Sequence, residues 1–229
     1  MLDLTEKYAQ LLWNSHWFSG LPAGLQAVIV QHAKWVHLSA GESLFHRGDA
    51  SDGVYAVLEG AVNVGAVDEH GKEALLVIAE PVMWFGEICL VDDLPRTHDA
   101  VAALPTTLLK LDQLVFRAIL NQQPEYWRYI ALLLSQKLRL VLQDVESFTL
   151  YPAAKRLAQR LMQITEGYGH RDIRQPVIKL SQERLALLLS LSRQTTNSLL
   201  KGFEEQGIIR LGFGEIEILD FERLAQEAH

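Results

Sequence analysis

The sequence predicts an α+β chain in which a small N-terminal β-barrel or β-roll is followed by one long helix and a C-terminal winged helix-turn-helix. Three features carry that reading. Between Trp35 and Asp112, glycines at 41, 48, 53, 60, 65, 71 and 86 punctuate short alternating runs, the texture of antiparallel strands. Residues 125–151 contain neither glycine nor proline, and their apolar positions recur with helical period. Residues 181–189 and 192–201 read as two short helices joined by a tight turn.

In chain order, residues 4–34 have helical spacing. Strands follow in runs such as Val54-Tyr55-Ala56-Val57-Leu58 and Ala61-Val62-Asn63-Val64, and Asp68-Glu69-His70-Gly71 forms a hairpin tip in which Gly71 supplies positive φ. In the long helix Trp127, Ile130, Leu134, Leu138, Val141, Val145 and Phe148 are spaced on average 3.5 residues apart, as in a coiled-coil seam. The helix is therefore expected to pair with its copy in a second subunit. The alternative is that the stripe only covers its own β-domain, but leucines at 132, 133, 140 and 142 indicate that both faces are used. Pro152 disfavours helix at Tyr151 and marks a boundary. Residues 153–166 are helical and 167–176 form a polar loop. After the helix-turn-helix, residues 208–211 and 215–219 flank a Gly212-Phe213-Gly214 turn as the wing. The expected division is a β-roll sensor domain over 1–123, a dimerisation helix over 124–150 and a winged helix-turn-helix over 151–229.

At 229 residues and 49% apolar content the chain has material for two cores. Its formal net charge of −7 is unevenly placed. Residues 1–150 hold 10 Lys/Arg and 18 Asp/Glu (−8), whereas residues 151–229 hold 11 and 10 (+1). A weakly positive C-terminal part is compatible with DNA contact. Cys89 is the single cysteine, so an intramolecular disulfide and a multi-cysteine iron-sulfur cluster are both excluded. The eight histidines show no zinc spacing. Apolar runs are far shorter than the ~20 residues of a membrane span, and the N-terminus lacks the pattern of a secretory signal, so a cytoplasmic location is expected. No grouping of nucleophile, base and orienting acid suggests an enzyme.

The second helix of the helix-turn-helix carries the chemistry. Ser192 is placed to cap it. Arg193, Gln194 and Asn197 lie on its first turns, where arginine can bind guanine and an amide can bind adenine through paired hydrogen bonds. Lys201, one turn on, suits a phosphate, and Thr195, Ser198 and Ser181 complete the expected DNA-contacting set. Ala186 and Ser190 are small where the two helices would approach.

Several motifs in order make the chain similar to the cyclic AMP receptor protein (CRP/FNR) family of bacterial transcription regulators. They are Ala40-Gly41-Glu42-Ser43-Leu44-Phe45 with Gly48-Asp49, the stretch 53–60 from Gly53 to Gly60, Phe85-Gly86-Glu87-Ile88 with Pro95-Arg96-Thr97, and Ser192-Arg193-Gln194-Thr195. The resemblance implies a cyclic-nucleotide-binding-like β-roll of jelly-roll type and a dimeric, effector-gated regulator of promoters. Such a regulator binds a palindromic operator and would touch RNA polymerase through the 167–176 loop. The resemblance also implies a phosphate-binding cassette of Gly86, Glu87, Ile88, Arg96 and Thr97, in which Arg96 pairs with a cyclic phosphate and Glu87 accepts from a ribose hydroxyl.

The chain departs from that pattern in three places. His98 and Asp99 follow Thr97 where cyclic-nucleotide binders usually carry small residues, and a carboxylate there would repel phosphate. Val141 and Leu142 stand where cyclic AMP responders place hydroxyls for the adenine. Ser198 replaces the third long base-reading side chain. Cyclic AMP is therefore expected to bind weakly or not at all, leaving another nucleotide, an unrelated effector, or an empty cassette in which Arg96 and Glu87 neutralise one another. His98 reads as a locally hydrogen-bonded histidine rather than a haem or metal ligand, and the five tryptophans as core and interface anchors. Two other readings stay open: a cyclic-nucleotide-binding module that controls a partner protein, and a constitutive regulator without effector.

Overall fold

The structure, a computed structural model, describes residues 6–169 and 174–229; residues 4, 5 and 170–173, on which parts of the N-terminal helical segment and of the polar loop were placed, lie outside them. The chain folds as two compact units, one drawn from Met1–Ala66 and Leu76–Leu138, the other from Val67–Leu75 and Arg139–His229.

The first unit opens on three helices, α1 (Glu6–Trp13), α2 (His16–Ser19) and α3 (Ala23–His32), rather than one. Ser15 caps α2 by accepting from Phe18 N, and Gly20 and Pro22 separate α2 from α3. Local capping and a proline thus cut a stretch whose spacing alone looked continuous. The strands are β1 (Lys34–Leu38), β2 (Ser43–Phe45), β3 (Gly53–Glu59), β4 (Val62–Val67), β5 (Glu73–Ala79), β6 (Trp84–Phe85), β7 (Asp99–Ala102) and β8 (Thr106–Asp112). They form two four-stranded sheets ordered β1-β8-β3-β6 and β2-β7-β4-β5, with antiparallel pairing. At the expected tip, Asp68 Oδ1 accepts from His70 N and Lys72 N, and Gly71 has φ 80°.

Two short helices, α4 (Ile88–Asp92) and α5 (Gln113–Gln122), have no counterpart among the elements expected from sequence. α4 is a single turn, too short to show a period, whereas α5 does place Phe116 and Leu120 one turn apart on its buried face, a helical signal the sequence reading passed over. The core joins Trp17 and Phe18 of α2, Leu25 and Ile29 of α3, alternate residues of β3 and β8, Trp84, and Phe116 and Leu120 of α5. Trp84 is fully buried, its ring stacked 6.1 Å from Phe18 and tilted 4.9 Å from Trp17. Trp13, by contrast, is 54% exposed and only touches Phe18 edge-on, so it is no core anchor.

A 3-10 turn at Pro124–Tyr126 leads into α6 (Trp127–Leu150). The structure splits its apolar stripe. Ile130 and Leu133 are buried, and Trp127 and Leu134 pack on the same core, so the first half of the helix covers its own β-domain. Leu138, Val141, Val145 and Phe148 are 43–58% exposed.

The second unit holds α7 (Ala153–Thr165), β9 (Val177–Ile178), α8 (Gln182–Leu189), α9 (Arg193–Glu205), β10 (Ile209–Gly212), β11 (Glu215–Ile218) and α10 (Phe221–Ala228). Leu157 and Leu161 of α7, Leu185 and Leu188 of α8, Leu200 and Phe203 of α9 and Leu224 of α10 are almost wholly buried. The wing is three-stranded, ordered β10-β11-β9, because Val177 and Ile178 pair with Glu217 and Ile216. A two-residue strand carries no alternation to detect in sequence, which is why the sequence predicts only the hairpin.

Candidate functional site

Each unit contains one candidate site. In the second unit, α9 is set by its cap and by the turn before it. Ser192 Oγ accepts from Thr195 N at 3.0 Å, and Ser181 Oγ plays the same part for α8, accepting from Arg184 N. Each such cap is worth about 1 kcal/mol. The turn places Ser190 in the left-handed region (φ 51°, ψ 40°). The strain of roughly 1 kcal/mol is offset by a hydrogen bond from Leu191 N to Ala186 O at 3.0 Å. Ala186 is buried between the helices as expected. Ser190 is exposed in the turn, so its role lies in the backbone and not in helix approach.

Thr196, Leu200 and Phe203 bury one face of α9. The opposite face presents Arg193, Gln194, Thr195, Ser198 and Lys201 as exposed side chains, with Asn197 half-buried between them. Thr195 Oγ1 lies 2.8 Å from Ser192 Oγ, so these two hydroxyls hold one another. Arginine, amides and lysine on the solvent face of a capped 13-residue helix are the groups that bind base edges and phosphates.

In the first unit the cassette residues are centred on Arg96, whose side chain is 2% exposed. Its Nη2 donates to Asp52 Oδ1 at 2.8 Å and to Gly53 O at 2.7 Å, and its Nη1 donates to Gly86 O at 3.3 Å. The guanidinium lies 4.1 Å from the centre of the Phe45 ring. Gly86 has φ 93°, and a Cβ there would stand 2.8 Å from Arg96 Nη1, so only glycine lets the arginine approach this backbone. Glu87, 1% exposed, is held not by Arg96 but by Lys137 of α6, with Nζ to Oε2 at 2.7 Å. The expectation that Arg96 and Glu87 neutralise one another is therefore corrected: each has its own counter-charge. Thr97 Oγ1 lies 3.0 Å from His98 Nδ1, while Asp99 Oδ1 accepts from Arg47 N at 2.8 Å. Ile88 is 43% exposed.

Sequence reasoning missed Asp52, Lys110 and Lys137, which supply charges around the cassette, and Tyr55, whose neutral hydroxyl donates to Asp52. Asp52 also accepts from Tyr55 Oη and from Lys110 Nζ. Strand register brings Tyr55 beside Lys110 and Phe85, and α6 brings Lys137 to Glu87. The buried Nε of Arg96 has no hydrogen-bond partner among the described residues. An anion would satisfy this one donor, although the adjacent Nη2 is already held by Asp52 and Gly53. Because the arginine is buried, an anion reaching it must first displace its neighbours. Among the described residues no three His, Cys, Asp or Glu side chains gather as a metal site.

Burial pushes the Asp52 carboxyl up, but hydrogen bonds from Lys110, Tyr55 and Arg96 and the Lys110 charge outweigh it and hold the group below its ordinary value of 3.8. Tyr55 moves the other way, raised by burial and by its bond to the Asp52 carboxylate. A carboxylate depressed on folding contributes stability above its unfolded pKa and loses it as pH falls through the folded one. Asp52→Asn should cost about 1–2 kcal/mol at neutral pH, because Arg96 is left buried with a weaker partner while water screens the half-exposed carboxylate. The difference from wild type, read by urea unfolding, should narrow below about pH 4. A pH-independent difference would show that the charge of Asp52 is not what matters.

Both units resemble domains of known proteins. Residues 35–123 match the cyclic nucleotide-binding domain and residues 155–227 the Crp-like helix-turn-helix domain. A cyclic AMP receptor protein of Thermus thermophilus is 30% identical over 179 residues, covering 78% of this chain and 80% of that protein. A CRP-like cAMP-activated global transcriptional regulator of Mycobacterium tuberculosis is 28% identical over 221 residues, 96% of this chain and 99% of the relative. The crystal structure of a CRP/FNR-family transcriptional regulator from Thermus thermophilus superposes with a TM-score of 0.67 at 28% identity, covering 85% of this chain and 98% of that one. With a capped reading helix and wing in one unit and a cyclic-nucleotide-type β-roll in the other, the chain belongs to the CRP/FNR family of DNA-binding transcription regulators.

Proposed function

We propose that this regulator acts as a homodimer on palindromic operators and is gated by an anionic small molecule held at Arg96. The observation that carries the dimer is the exposed half of the α6 stripe. Leu138, Val141, Val145 and Phe148 continue the 3.5-residue period after the helix has left its own core, together with Leu142 at 59% exposure. Such a continuous apolar seam on one helix is the signature of a coiled-coil partner. A two-fold dimer presents two copies of α9, so half-sites should lie about one helical turn, roughly 34–36 Å, apart.

The unpartnered Nε of Arg96, the glycine cradle at Gly86 and the buried carboxylate of Glu87 support an effector with a phosphate and a hydroxyl. The Lys137 ion pair on Glu87, the engagement of Thr97 with His98 and the burial of Arg96 argue for weak binding of cyclic AMP itself. Effector entry then requires a rearranged cassette, which couples binding to a second conformation and shifts the population toward it. Val141 and Leu142 add no hydrogen bond for a base amine. By family analogy the dimer works at promoters with RNA polymerase, in the cytoplasm.

Selection from a random duplex pool should return a palindrome. Arg193→Ala should weaken binding to it by about 1–3 kcal/mol and relax one base position; equal loss on random DNA would remove Arg193 from base reading. Val145→Glu should give a monomer in sedimentation equilibrium and abolish operator binding, and a variant that stays dimeric would overturn the seam. Isothermal titration with cyclic AMP should give no micromolar binding; a micromolar dissociation constant would overturn that expectation. If no ligand retained on the purified protein changes operator affinity, the regulator is constitutive.

A further inference from the structure

Beside the Arg96 cassette stands a titratable ring that takes no part in the core. His98 is half-buried, and its Nδ1 lies 3.0 Å from Oγ1 of Thr97, the exposed cassette residue next to Arg96. A hydroxyl has one proton to give. When the ring is neutral with its own proton on Nε2, Nδ1 accepts from Thr97, and the hydroxyl has nothing left for an anion. An imidazolium carries hydrogen on both nitrogens, so it must donate to Oγ1, and Thr97 is then free to donate to a ligand. Protonation of His98 therefore changes both the charge beside the cassette and the direction of its hydrogen bond.

The neighbours of the ring decide which form it takes. Arg47 comes from the loop between β2 and β3, which is tied to the cassette by Gly48 N donating to Arg96 O and Arg96 N donating to Asp49 O. Asp99 of β7 is the opposing charge; its Oδ1 accepts from Arg47 N at 2.8 Å and lies 3.5 Å from His46 Nδ1. Burial and the Arg47 charge hold the His98 pKa below its ordinary 6.5, and Asp99 offsets them only in part. The ring is accordingly neutral near neutral pH. A negative charge bound at Arg96 and Thr97 favours the imidazolium and raises that pKa. The imidazolium in turn counters Asp99, which would otherwise repel the same anion.

We propose that His98 is a positioning residue of the anion site: it takes up a proton as the anion binds, frees the Thr97 hydroxyl for the ligand and offsets Asp99, so that effector affinity rises as pH falls. This rests on the reading of Arg96 as the anion-holding group. Proton and anion strengthen one another by the same factor, as any two linked ligands do. In the free protein the ring loses its proton at the lowered pKa, whereas in the complex it keeps the proton to a higher pH. Affinity is therefore greatest below the first value, declines between the two, and is constant above the second.

The test uses the whole chain and cyclic AMP at millimolar concentration as the probe, because its phosphodiester keeps one negative charge across the range in which histidine titrates. Nuclear magnetic resonance should show the His98 pKa rise when the probe is added. The probe should bind about three- to ten-fold more tightly at about pH 5.5 than at about pH 7.5, since each unit of pKa change is worth tenfold. His98→Gln should abolish that dependence, whereas His46→Gln, whose ring is paired with Asp99, should retain it. Both variants should unfold at the wild-type temperature, because neither ring belongs to the core. Equal binding at the two pH values with an unmoved His98 pKa would overturn the inference, as would a pH dependence that survives in His98→Gln. If the probe leaves the Arg96 Nε resonance unchanged at both pH values, the fault lies with the reading of Arg96, and the role of His98 falls with it.

Discussion

A guanidinium taken out of water costs several kcal/mol unless its donors are met, and the first unit of this protein is organised around meeting those of Arg96. The residue reaches both sheets. Its ring partner Phe45 belongs to β2, while Gly53 of β3 accepts from its side chain. Its own backbone ties the loop ahead of β3, with Arg96 N donating to Asp49 O and Gly48 N donating to Arg96 O, both at 2.8 Å. Asp52 and Lys110 then close the charge balance, with the Tyr55 hydroxyl donating to Asp52. What results is a guanidinium whose Nη1 and Nη2 are both held by protein while its Nε has no hydrogen-bond partner among the described residues.

The same logic explains why the cassette is not simply an open phosphate site. Asp52 supplies the charge that makes burial of Arg96 tolerable, and Lys137 does the same for Glu87. A ligand phosphate would arrive beside a carboxylate already satisfied by three donors. Under the proposed function, ligand binding is an exchange of partners rather than the filling of a vacancy. Exchange of this kind is what lets a small molecule favour one arrangement of a regulator over another, since only a difference in affinity between two states can shift them.

In the second unit the constraints are local and mostly helical. Caps at Ser181 and Ser192 fix where α8 and α9 begin, and the left-handed Ser190 fixes the turn between them. Buried leucines then decide which face of α9 looks outward. The polar face of α9 and the wing lie on elements that share one small core, so their placement relative to one another within the unit is set by packing.

Periodicity, capping residues and punctuation by glycine and proline determined much of this protein. They specified the strand-rich front, the helix after Pro124, the starts of both helices of the helix-turn-helix to within a residue, and the polar face from Arg193 to Lys201, because each of these is written in neighbours along the chain; α9 runs four residues past Lys201 to Glu205. The division of the α6 stripe was not legible, since Ile130 and Val145 look alike until one of them meets a core. Nor were the partners of Arg96 and Glu87, which come from 44 and 50 residues away. Strand register and helix packing decide such long-range pairs, and a linear pattern carries no record of which distant charge will be brought within three ångströms of another.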